Sequence, residues 1–200
     1  GYQAFKSGDS AMAIQAWQPV ADVAPHQVQF HLATLIADTD PGLAISILAA
    51  PAEKNHTNTQ FLLGLLLEST GSPVDFAAAG NWYRKAAERG MAQAQNNLGI
   101  LYANGLIAPG DDGFGAEHWL ALAAGQGFAD GQFNLASLYE RGEAILADPV
   151  RALAWFILAA RQGHGGALTL ADALQAALTP AQLSQANTLL DSGTLVPVSR

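Results

Sequence analysis

Tryptophan recurs down this chain at a nearly fixed interval. Trp82, Trp119 and Trp155 are 37 and 36 residues apart, and the surrounding residues recur with them. Each is followed four and five places later by an alanine pair: Ala86-Ala87, Ala123-Ala124 and Ala159-Ala160. Each has a glycine eight places on (Gly90, Gly127, Gly163) and an aspartate seven places before (Asp75, Asp112, Asp148). A period of this size is the signature of a repeat array, in which each unit buries its apolar face only by stacking on the next. Read backwards, the register places Ala49-Ala50 at the alanine pair, Ile45 at the tryptophan position and Asp38 at the aspartate. Asp40-Pro41 is a competing helix start, and Trp17 fits as a first member with Pro25 where glycine is expected.

A second pattern lies between the tryptophans. Leu98-Gly99-Ile100-Leu101-Tyr102 recurs as Leu135-Ala136-Ser137-Leu138-Tyr139, with weaker copies at Leu63–Leu67 and Leu32–Ile36. Ala94, Leu98 and Tyr102 stand at i, i+4 and i+8, so they share one helix face. Gly105 and Gly142 supply the left-handed residue that ends a helix. A second helix then opens at the aspartate, whose carboxylate accepts from free backbone N–H groups. Asp148-Pro149 adds proline at the first helical position. Ala and Gly on the contact faces let backbones approach, and Trp and Tyr fill the space between. The chain therefore reads as all-α, a right-handed superhelical α/α solenoid of about five helix pairs. Residues 1–25 form a divergent N-terminal hairpin, about 27–178 the repeats, and 179–193 a C-terminal capping helix opened by the capping box Thr179-Pro180-Ala181-Gln182. The array spans 1–193, and 194–200 is a flexible tail.

The set Ala-x3-Leu-Gly-x2-Tyr-x2-Gly, then Asp-x6-Trp-x3-Lys-Ala-Ala-x2-Gly, resembles the Sel-one-like repeat, a relative of the tetratricopeptide repeat with a slightly longer unit. The fullest copy runs from Asp75 to Gly105; Leu122 and Leu158 replace the lysine in the next two. The resemblance covers roughly residues 8–175. It implies a concave groove and an adaptor or regulator role, often in bacterial envelopes, with no shared catalytic residue to carry over.

The composition agrees with binding rather than catalysis. Half the residues are hydrophobic, enough for a real core, while charged residues are 13%, about half the usual share. A net charge of −8 disfavours nucleic acid or an anionic membrane surface as partner, and no apolar run approaches the roughly 20 residues needed to span a bilayer. There is no cysteine, which excludes disulfides and thiol catalysis. No metalloprotease helix, phosphate loop or nucleophile elbow occurs. Lys6, Lys54 and Lys85 never stand three after a serine, which weakens the acyl-transfer chemistry suggested by cysteine-rich relatives. His26, His31, His56, His118 and His164 are scattered with no pair at ligand spacing, so no metal and no cofactor is expected. The Asp111-Asp112 pair reads as a loop and helix start, and Arg84, Lys85 and Arg89 as a solvated face.

The first helix of each pair is expected to line the groove. Positions around its leucine give Phe30, His31, Phe61, Asn96, Asn97, Ile100, Asn104, Phe133, Asn134, Ser137 and Arg141 as the partner-binding set. Asn side chains donate to and accept from a peptide backbone, and Phe anchors a side chain. The expected function is a non-catalytic protein–protein interaction scaffold that binds a peptide segment or partner domain. The alternative is a cell-wall ligand binder for peptidoglycan or β-lactam-like groups, or a weak hydrolase. Low surface charge makes self-association a further expectation. The chain starts inside a helical pattern without Met, which reads as a removed leader or a trimmed chain; with no signal peptide visible, the resemblance implies a periplasmic, extracytoplasmic location, with the cytoplasm as the alternative.

Overall fold

The computed structural model describes residues 1–108, 113–143 and 145–195. Among these the chain forms twelve α-helices, a short 3-10 helix and no strand. They follow as α1 (Tyr2–Lys6), α2 (Ser10–Trp17), the 3-10 segment Gln18–Val23, α3 (His26–Ile36), α4 (Pro41–Glu53), α5 (Thr57–Ser69), α6 (Pro73–Ala87), α7 (Ala92–Ala103), α8 (Ala116–Gly125), α9 (Ala129–Arg141), α10 (Pro149–Arg161), α11 (Ala167–Ala177) and α12 (Pro180–Ser192). They divide into two compact units, Gly1–Arg89 and Gly90–Arg200. In the first, α3 packs on α4, α4 on α5 and α5 on α6; in the second, α7 through α11 pack in the same consecutive way. This all-helical, hairpin-by-hairpin stacking is the α/α repeat architecture read from the sequence.

The helix starts follow local chemistry. Asp40 and Asp148 are N-caps, each accepting from a backbone N–H three residues on at 2.9 Å (Leu43 and Arg151), with proline at the first turn of each helix. Thr179 and Gln182 close a reciprocal capping box at α12. Asp75 departs from the expectation: α6 starts three residues earlier, after Ser72, and Asp75 instead accepts from the Thr70 hydroxyl at 2.6 Å. Asp111 and Asp112 lie outside the described residues. At the other ends, Gly90, Gly127 and Gly163 have φ of +85°, +78° and +86°, the left-handed region where glycine carries no Cβ penalty.

A buried glutamine ties consecutive hairpins together. Gln29 Nε2 donates to the Ala21 carbonyl at 2.8 Å, Gln60 to Ala52 at 3.0 Å, and Gln132 to Ala124 at 3.3 Å. Each glutamine is buried, stands three residues before the repeat leucine, and reaches eight residues back. Ala52 and Ala124 lie in the last turns of α4 and α8, where carbonyls have no partner within the helix. The next helix supplies the donor from its own side chain.

That clamp corrects the register of the early repeats. The tryptophan position is five residues before the clamped alanine, as Trp119 is to Ala124. By this measure it is Ile47, not Ile45, in the α3–α4 repeat; Asp40, not Asp38, is the helix start; and Pro51-Ala52, not Ala49-Ala50, is the buried small pair. Asn55, eight after Ile47, takes the glycine's place with φ +67°, which asparagine tolerates. In the first hairpin the position falls on exposed Ala16. Trp17 is one residue out of register and instead packs 5.5 Å from Phe5.

The cores are leucine and small residues around the large rings. The first unit buries Leu32, Ile47, Leu48 and Leu63, the second Leu98, Leu120, Leu135, Trp155 and Phe156. Trp119 and Trp155 are buried, whereas Trp82 keeps one face for Lys85, whose ammonium sits 3.9 Å above the ring and 3.1 Å from Glu53. The small residue after each leucine is the point of close approach. A Cβ on Gly64 would lie 2.5 Å from the Tyr83 ring, and one on Gly99 2.6 Å from Leu120. In α11 the corresponding positions, nine and twelve after Gly163, carry Asp172 and Gln175, both exposed. The terminal helix α12 packs on α10 and buries Ala186.

Two stability predictions follow from these contacts. Gly99→Val should cost about 1–3 kcal/mol through overpacking against Leu120, and Gln132→Leu about 0.5–1.5 kcal/mol through loss of the Gln132–Ala124 hydrogen bond, the Ala124 carbonyl keeping the Gly127 N–H at 2.9 Å. Urea unfolding followed by circular dichroism measures both; a loss confined to below about 0.5 kcal/mol in either variant contradicts the corresponding contact.

Candidate functional site

Helices α7 and α9 bring a run of amides together in the second unit. Asn134 Nδ2 donates to Asn96 Oδ1 at 2.8 Å, and Asn96 Nδ2 to Asn97 Oδ1 at 3.2 Å. Asn96 is not a groove residue as expected from its position before Leu98. It is 5% exposed and forms the middle of the chain, with half-buried Asn97 and Asn134 at its two ends. A buried amide needs partners for both its carbonyl and its amino group, and the two neighbouring asparagines provide them. Gln126 Nε2 adds a separate amide pair to Gln95 Oε1 at 2.7 Å.

The other expected residues on these helices fall at graded depths. Ile100 and Ser137 are half-buried; Asn104 is exposed as the C-cap of α7; Arg141 is exposed in the last turn of α9, its Nε 3.4 Å from the Ser137 carbonyl. Phe133 is drawn inward. Its ring stacks on His164 at 4.0 Å and meets Phe156 edge-on at 5.4 Å, so much of it serves packing.

In the first unit the expected residues separate. Phe61 leans on the Tyr83 ring at 5.8 Å. Phe30 and His31 line an open pocket of about 410 Å³ whose wall also includes His26, His56, Thr57 and Asn58. His26 and His56 stack face to face, centroids 3.7 Å apart and planes 10° from parallel. This corrects the reading of the histidines as scattered. The signal was present in the repeat: His26 stands six before Leu32 and His56 seven before Leu63, near-equivalent places at the starts of α3 and α5. Among the described residues no group of three His, Asp or Glu side chains is disposed to hold a metal.

Charge is placed between consecutive helices. Tyr83 donates to Glu68 and Tyr139 to Glu117, each at 2.5 Å, and Arg151 reaches the Tyr139 oxygen at 3.4 Å. Burial, reinforced by the Glu117 carboxylate, pushes the Tyr139 phenol from 10.0 up to about 12. Because the folded value is raised, the stabilisation is present below pH 10 and is lost as pH rises through about 12. Tyr139→Phe should therefore flatten the alkaline fall in thermal stability; an unchanged slope between about pH 10 and 12 contradicts it.

No membrane-spanning helix is present among the described residues; none is long and apolar enough. No curated protein sequence matches the chain significantly. Among solved structures it is similar to a protective antigen present in uropathogenic Escherichia coli strains that displays an SLR fold. The two share 28% identity with a TM-score of 0.74, over 90% of this chain but 40% of that one. It also shares the fold of a Sel1 repeat protein from Oxalobacter formigenes, with 24% identity and a TM-score of 0.67 over 96% of this chain and 84% of the other. The Sel1 repeat model matches residues 58–91, 92–128 and 129–164 in unbroken succession, more than half the sequence. The chain belongs to the Sel1 repeat family, whose members generally act as protein–protein interaction scaffolds.

Proposed function

We propose that the face of α7 and α9 around the Asn134–Asn96–Asn97 chain binds an extended peptide segment of a partner protein. The observation that carries this reading is the amide chain itself. Asn96 fixes its two neighbours from below, so the Asn134 carbonyl and the Asn97 amino group at the two ends are held in place before a ligand arrives. A peptide backbone presents both a carbonyl and an N–H, and pre-ordered amides bind it with less loss of side-chain freedom. Ile100 and Ser137 continue the face along the two helices, and the exposed Asn104 and Arg141 supply polar groups at its edge. The protein is on this reading a non-catalytic adaptor. The similar uropathogenic protein is a protective antigen, and on that likeness we place this chain outside the cytoplasm.

The test is selection of binding peptides from a displayed random library on the full chain, followed by affinity measurement on an Asn97→Lys, Asn134→Lys double variant of equal helical content. Affinity should fall about tenfold or more, on the order of the 1.4 kcal/mol that two lost amide contacts supply. Equal affinity moves the site off this face. Peptidoglycan fragments run in the same assay test the cell-wall alternative, and fractionation of the native host tests the location.

A further inference from the structure

We propose that the His26–His56 stack is a proton-sensitive latch between the α3–α4 and α5–α6 repeats, closed when both imidazoles are neutral and opened by acid. The evidence is geometric. The two rings lie face to face at 3.7 Å and 10°, a distance at which two neutral imidazoles attract and two cations repel. Helices α3 and α5 each pack on α4, and the histidine pair joins them directly at their N-terminal ends. His26 is the first residue of α3 and His56 is the N-cap of α5, where the helix dipole also opposes a positive side chain.

The surroundings offer no relief to a cation. The pocket beside the stack is lined by His31, Thr57, Asn58 and Phe30 with no carboxylate among its lining residues. Of the charges nearby, Lys54 in the turn before His56 is positive. Glu53 is engaged by Lys85 at 3.1 Å, and Asp22 is exposed on the 3-10 segment outside the pocket lining. Loss of solvent around the ring, then His26, then Lys54 hold the His56 pKa below its ordinary 6.5. With the folded value depressed, the latch contributes in full above pH 6.5 and is lost as pH falls through the lower, folded value. The second unit makes the equivalent link between α7 and α9 with the Asn134–Asn96 hydrogen bond, which has no proton to gain in this range. Acid therefore loosens the histidine-linked pair of helices and leaves the amide-linked pair intact.

Histidine ring resonances of the full chain, followed by NMR from pH 8 to 4.5, test the latch together with amide hydrogen exchange along α5 and α9. The expected result is a His56 midpoint below 6.5. Exchange at α5 amides such as Phe61 should quicken roughly tenfold at pH 5, after correction for intrinsic rates, with α9 unchanged. His26→Phe keeps a flat ring under His56 without a charge and should raise the His56 midpoint toward 6.5. His56→Asn keeps a capping residue and should abolish the acid-induced exchange. A wild-type His56 midpoint at or above 6.5 overturns the proposal, and so does the same acid response of α5 in His56→Asn. The wild-type titration decides the matter even where a variant folds poorly.

Discussion

Consecutive hairpins in this chain are tied by a hydrogen bond from a buried glutamine of one to a helix-end carbonyl of the hairpin before it. The last carbonyls of a helix have no partner within it, and here those of Ala52 and Ala124 each take one bond from the turn that follows, from the Asn55 and Gly127 N–H groups, and a second from the next hairpin. Gln60 and Gln132 meet them with side chains almost wholly excluded from solvent. A buried amide of this kind is strongly directional. It sets the phase between one hairpin and the next, whereas leucine packing alone tolerates small slides. The close approach at Gly64 and Gly99 depends on that phase. A glycine shifted by one residue would present a Cβ-bearing neighbour to Tyr83 or Leu120 and the helices would not close. In an array where each unit contacts only its neighbours, such local phase-setting is repeated rather than shared.

This explains what was legible in the sequence and what was not. The tryptophan, alanine and glycine of the later repeats are large or small for packing reasons, and packing leaves a periodic trace. The fold, the pairs of helices and the capped starts at Asp148 and Thr179 follow from that trace. In the α3–α4 repeat the trace fades because Ile47 replaces tryptophan, Pro51-Ala52 replaces the alanine pair, and Asn55 replaces glycine by adopting the same left-handed backbone. Matching residue types there gave a register two places early. The glutamines at 29, 60, 95 and 132, each three before the repeat leucine, hold the better register, but glutamine ordinarily signals a solvated surface.

The binding positions were legible as places and not as environments. Residues one and two before the leucine do lie where consecutive repeats meet, yet what they do there depends on the neighbour. Asn96 is submerged because Asn134 of the next repeat reaches it; Phe133 turns inward because His164 and Phe156 receive it; Phe30 stays at a pocket because His26 and His56 stack beside it. A pair contact of this sort joins residues about a repeat apart, and nothing in either residue alone announces it.

The division of labour between the two kinds of position follows from charge. With 13% charged residues and a net charge of −8, the chain has few cations to spend on specific ion pairs, and two of them are committed between helices, Lys85 to Glu53 and Arg151 to Tyr139, Arg151 also pairing with Asp148 at the start of its own helix. Links between the first helices of adjacent repeats are consequently made by uncharged groups, amides in one unit and imidazoles in the other. Amides keep their hydrogen bonds at any physiological pH, whereas imidazoles do not keep their neutrality. The same repeat scaffold, with amides within the helices of one unit and imidazoles at the helix starts of the other, therefore yields one junction that is indifferent to acid and one that responds to it.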